Sequence, residues 1–120
     1  MLVKLAFILL FIDFIYIFLS RNYFSKQILE IQKYSMKINY FATFLCYMLL
    51  IFGLYYFIIK PKRTIIDAFL LGFVIYGVFE TTNYAIFKNW SIVSVIIDTL
   101  WGGILFASTT YLTKFFFGKL

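Results

Sequence analysis

Four unbroken apolar runs, at residues 2–20, 40–59, 65–87 and 92–113, constrain this chain more than any other feature. Each is close to the roughly 20 residues that one tilted helical crossing of a bilayer requires. None alternates apolar and polar residues as a lipid-facing barrel strand does. Backbone N–H and C=O groups in hydrocarbon must also be paired within the segment, which selects helices. The sequence therefore predicts an all-α integral membrane protein, with four transmembrane helices in a compact bundle that makes one domain of residues 1–120. Composition agrees, at 64% apolar and only 13% charged residues, against a quarter charged in an ordinary soluble domain. Little chain remains for a soluble lobe.

The links between the runs carry the punctuation. Lys60-Pro61-Lys62-Arg63 reads as a turn, because proline cannot continue a helix and three cations suit the headgroup layer. Lys88-Asn89-Trp90-Ser91 reads as a second turn, with Ser91 as helix N-cap and Trp90 as an interfacial anchor. In the longest link Lys26, Glu30, Lys33 and Lys37 recur at helical spacing, which predicts a short interfacial helix between the first and second crossings. The opening MLVKLAFILLF has the look of a signal peptide, but Asp13 interrupts it and no small-residue cleavage site follows, so it is read as a retained first helix.

Several functional classes fall away. The net charge of +6 comes from cations beside the apolar runs and not from a hydrophilic segment, so it reads as topology and headgroup anchoring and not as nucleic-acid binding. Four crossings put both termini on one side. Three cations packed into the 60–63 turn, on that same side, place it in the cytoplasm. The chain has no histidine, which removes histidine-box iron enzymes, histidine-ligated haem and Ser-His or Cys-His nucleophilic catalysis. The one cysteine, Cys46, lies in an apolar run and reads as a small hydrophobe. No cofactor or metal is called for.

Three acids remain where none is expected. Asp13 lies seven residues before Ser20, Glu80 seven before Phe87 and Asp98 seven after Ser91. At about 1.5 Å per residue, all three sit roughly 10 Å below the same interface. A charged acid at a helix centre costs about 2.5–3.5 kcal/mol on insertion scales, so three of them favour a shared polar interior over lipid. Neighbouring residues at helical spacing support this. Ser94, Trp101 and Gly102 share a stripe with Asp98, and Tyr76, Gly77, Asn83 and Tyr84 share one with Glu80; Tyr40, Thr43 and Tyr47 mark a face of the second helix. Gly103 and Ala107 offer a small surface for close helix approach. Asp13-x-x-Tyr16 and Asp98-x-x-Trp101 repeat an acid and an aromatic three apart on helices of opposite direction, as in an inverted repeat.

No Lys or Arg lies deep enough to neutralise these acids, and three carboxylates close together in low dielectric cannot all stay ionised. The cluster therefore suits a proton or cation, with Asp13, Glu80 and Asp98 binding it and Tyr47, Thr82, Asn83 and Trp101 in support. A hard divalent ion would need further oxygens from water or carbonyls. Two other readings stand beside this one: a membrane enzyme or accessory subunit that uses an acid on lipid, and a structural component whose acids fasten helices. Translocation would call for a homo-oligomer, since four helices are few for a conduction path.

These residues, with Gly53, Pro61, the Glu80-Thr-Thr-Asn83 segment, Trp90 and Asp98-x-x-Trp101-Gly102, give the chain a resemblance to the domain-of-unknown-function 2177 family of small multi-pass membrane proteins. The resemblance covers nearly the whole chain and implies a four-helix membrane fold. It implies no activity. The chain departs from the family pattern in having Glu80 in place of aspartate and Tyr16 in place of tryptophan.

Overall fold

The computed structural model describes residues 2–32, 40–87 and 90–117. They form four helices: α1 (Leu2–Gln32), α2 (Tyr40–Leu54, continued by a π-helical turn at Tyr55–Ile59), α3 (Ile65–Ile86) and α4 (Ile92–Phe116). Each holds a span long and apolar enough to cross a membrane. Beyond the first span, residues 21–32 are helical as the sequence pattern suggested, but they prolong α1 and do not form a separate interfacial helix. The reason is local: no glycine or proline lies between Ser20 and Gln32 to end the helix. Lys33 and Lys37 lie outside the described residues. At about 1.5 Å per residue the 31 residues of α1 reach about 46 Å, nearly the 49 Å long axis of the molecule.

The turn after α2 is built from paired backbone groups. Arg63 N–H donates to Ile58 C=O at 2.8 Å and Lys62 N–H to Ile59 C=O at 3.1 Å, the pair of bonds that defines a Schellman cap. That cap requires a left-handed residue, and Lys62 supplies it with φ 61°. Thr64 then opens α3 with a capping box: its hydroxyl accepts Asp67 N–H at 3.1 Å and its own N–H donates to Asp67 Oδ2 at 3.4 Å. Arg63 Nε joins the same oxygen at 3.0 Å. Lys114 Nζ donates to Arg63 C=O at 2.8 Å, and Lys4 lies 4.5 Å over the Phe117 ring. The turn, the start of α1 and the end of α4 thus meet at one end of the bundle. Ser91 caps α4 as expected, accepting Val93 N–H at 3.1 Å.

α4 is the central element. It packs along α3 and against α1, while α2 packs on α1. Its buried positions include Ser94, Asp98, Gly102, Phe106, Thr109 and Thr113, a stripe at helical spacing that faces the other helices. Leu5 and Leu9 of α1, Leu54 of α2, Ala68 of α3 and Leu105 and Phe106 of α4 are fully buried and fill the half of the bundle nearer the 60–63 turn. Phe7, Phe11, Phe14 and Phe18 line the opposite face of α1 and are exposed to what would be lipid. The closest helix approach differs from the expected Gly103–Ala107 surface. Gly103 lies under the Phe69 ring, and the backbones meet one residue earlier, where Gly102 faces Gly72.

Candidate functional site

The acids occupy the other half of the bundle. Asp13, Glu80 and Asp98 retain 5%, 1% and 9% of their exposure, and neutral side chains from all parts of the chain converge on them. Asp13 of α1 accepts from Tyr47 Oη of α2 and from Trp101 Nε1 of α4 at 3.0 Å. Asp98 of α4 accepts from Tyr16 Oη of α1 at 3.1 Å. Glu80 of α3 accepts from Trp90 Nε1, in the link before α4, at 2.8 Å. The Glu80 and Asp98 carboxyls are neighbours across α3 and α4.

Geometry explains the repeated acid-x-x-aromatic pattern. The aromatic of α1 donates to the acid of α4 and the aromatic of α4 donates to the acid of α1. The Tyr16 and Trp101 rings stack between them, with centroids 4.4 Å apart and planes 9° from parallel. The two short patterns thus close a reciprocal clasp between antiparallel helices. Tyr16 supplies its donor as a phenolic hydroxyl and Trp101 as an indole N–H.

Two of the expected supporting residues do not join the cluster. Thr82 is exposed and donates to Val78 C=O of its own helix at 2.6 Å; it lies two residues beyond Glu80, and such neighbours point to different faces of a helix. Asn83 is half-buried one turn beyond Glu80, and among the described residues its side chain makes no hydrogen bond to the acids. Tyr40 and Tyr84, assigned to inward stripes, are exposed. Conversely, Tyr16 and Trp90 bond directly to the acids and were not among the expected site residues. The acid-x-x-aromatic echo pointed to Tyr16. Trp90 stands in the sequence as an interfacial anchor and in the family resemblance, but its bond to Glu80 follows no helical period that would have marked it.

Charge balance at the site is one-sided. Among the described residues the ion pair is Arg63–Asp67, at the far end of the bundle, and no cation reaches Asp13, Glu80 or Asp98. No three carboxylate or thiol side chains among the described residues come together at metal-ligand spacing. The arrangement can hold protons and hydrogen bonds more readily than a hard cation, which would need more oxygens than converge here.

A family model described as Predicted membrane protein (DUF2177) matches residues 1–115, which include every member of the network. No curated protein and no solved structure matches the chain.

Proposed function

The chain belongs to the DUF2177 family of predicted membrane proteins, and we propose that its three buried acids form one proton-binding site that couples protonation to the packing of all four helices. The observation that carries this reading is that the donors to the acids are the neutral side chains of Tyr16, Tyr47, Trp90 and Trp101. Two like charges about 4 Å apart repel by about 4 kcal/mol at an effective dielectric of 20, and with no nearby cation the economical remedy is a retained proton. Gain or loss of that proton changes bonds that join α1 to α2, α1 to α4 and α3 to α4. The site is thus suited to proton-dependent change of helix packing, and to proton movement across the bilayer where a path from each side reaches it. The divalent-cation reading is less favoured by the donor geometry.

The chain carries its own reporter. Both of its tryptophans donate to the acids, Trp101 to Asp13 and Trp90 to Glu80. Tryptophan emission of the protein in nanodiscs should change in one concerted transition as pH is varied, and the transition should vanish when Asp13→Asn, Glu80→Gln and Asp98→Asn are combined. Emission that is flat with pH, or a transition that survives in the triple variant, would contradict the proposal. Proton flux into liposomes, compared between wild type and Asp98→Asn, separates a translocating site from one that only switches packing.

A further inference from the structure

α2 and α3 are consecutive, yet α2 packs on α1 and not along α3. Past their shared turn they leave a crevice of about 250 Å³ at the level of the acids, lined by Cys46 and Leu50 of α2, Ile75, Tyr76 and Phe79 of α3, and Asp98 of α4. Cys46 and Phe79 are exposed, so its mouth opens sideways toward lipid. Its walls are apolar, but its inner end is not. Asp98 and Tyr76 both line it there, and Tyr76 holds its ring against Gly102. The Tyr76 hydroxyl makes no hydrogen bond among the described residues.

We propose that this crevice binds a single-chain amphiphile with a neutral hydroxyl head, a long-chain alcohol that enters from the bilayer and seats its head between Tyr76 and Asp98. Each feature of the crevice selects against another occupant. A bare hydrocarbon chain would bury the Tyr76 hydroxyl and a carboxyl against methylenes, a costly desolvation with no bond in return. An alkylammonium could pair with Asp98 but offers no lone pair to the Tyr76 donor. A fatty acid or phospholipid headgroup would bring negative charge to a wall that holds acids and no cation. A hydroxyl head donates to Asp98 and accepts from Tyr76, which satisfies both. Size agrees: at about 30 Å³ per water the crevice holds roughly eight water volumes, room for a head and several methylenes but not for a second chain or for a helix about 10 Å across. The proposal draws on the proton-site reading only in taking Asp98 as a hydrogen-bond acceptor.

The test is photo-crosslinking of the full chain in phosphatidylcholine nanodiscs with a dodecanol that carries a diazirine on its chain, and mapping of the adducts by mass spectrometry. Adducts should concentrate on Cys46, Leu50, Ile75 and Phe79, and unlabelled dodecanol should compete them away where dodecylamine, dodecanoate and dodecane do not. Tyr76→Phe keeps the ring against Gly102 and removes only an unpaired hydroxyl, so the variant should fold and lose about fivefold in crosslinking yield, the worth of one hydrogen bond. Adducts spread evenly over the lipid-facing residues would overturn the proposal. So would competition by the amine, the acid or the alkane equal to that by the alcohol, or an unchanged yield in Tyr76→Phe. The pH transition in tryptophan emission is read in a separate experiment without alcohol, so either proposal can fail alone.

Discussion

Gly72→Ala is expected to destabilise the bundle by about 2 kcal/mol or more, read as a fall in unfolding midpoint in mixed micelles. A Cβ at Gly72 would stand 2.8 Å from the Gly102 carbonyl carbon and 2.9 Å from Phe106 Cγ. The first neighbour is backbone and cannot turn away, so α3 and α4 must separate. The reverse contact is equally close, since a Cβ at Gly102 would meet the Tyr76 ring and stand 2.6 Å from the Gly72 carbonyl oxygen. Overpacking of this kind costs about 1–3 kcal/mol and sometimes more, and separating two backbones along a seam belongs at the upper end. The better helix propensity of alanine returns at most about 1 kcal/mol. Gly53→Ala is the natural control: nothing lies within 4 Å of a Cβ there, so that variant should be neutral or slightly stabilised. If both alanine variants unfold at the same midpoint, the Gly72–Gly102 approach is wrong.

Asp13→Ala should be the most damaging change at the acid cluster, at about 3 kcal/mol. The loss does not come from the acid alone. It leaves Tyr47 Oη and Trp101 Nε1, which both donate to Asp13, without an acceptor in the bundle interior, and each buried orphaned donor costs about 1–3 kcal/mol. Removing a buried, unpaired charge would by itself favour the alanine, which sets the estimate below the sum of the two donors. Asp13→Asn keeps one acceptor oxygen and should cost roughly half as much. A double-mutant cycle resolves the matter: Trp101→Phe in the Asp13→Ala background removes a donor that has already lost its acceptor, so the second substitution should cost about 1 kcal/mol less there than in wild type. Additive effects would mean that Trp101 and Asp13 do not share the bond.

What could be read in advance follows from how far each signal reaches along the chain. Four crossings, the turn around Pro61 and the Ser91 cap are local consequences of run length, proline and short polar side chains, and all were legible. That Asp13, Glu80 and Asp98 fall in one half of the bundle was legible, because position along a helix is a count of residues. Which faces meet was not. A glycine is visible in sequence, but that Gly72 meets Gly102, and that Gly103 sits under Phe69, depends on the rotation of α3 about α4, which no single-helix period specifies. Thr82 was misplaced by proximity in sequence to Glu80, although two residues along a helix is the wrong face. Trp90 reads in sequence as a headgroup anchor, since its bond to Glu80 follows no helical period. The continuation of α1 to Gln32 replaced an expected separate helix because polar composition marks the bilayer surface without ending a helix.

If the three carboxyl groups act as one proton-sharing unit inside the bundle, infrared spectroscopy of the protein in lipid will detect the retained proton. At neutral pH the spectrum should contain the carbonyl stretch of a protonated carboxylic acid that shifts in deuterated buffer. Glu80→Gln or Asp98→Asn should remove the band, and Asp13→Asn should shift it without removing it. A spectrum with only ionised carboxylates at neutral pH, or a band indifferent to all three substitutions, would rule out a shared proton.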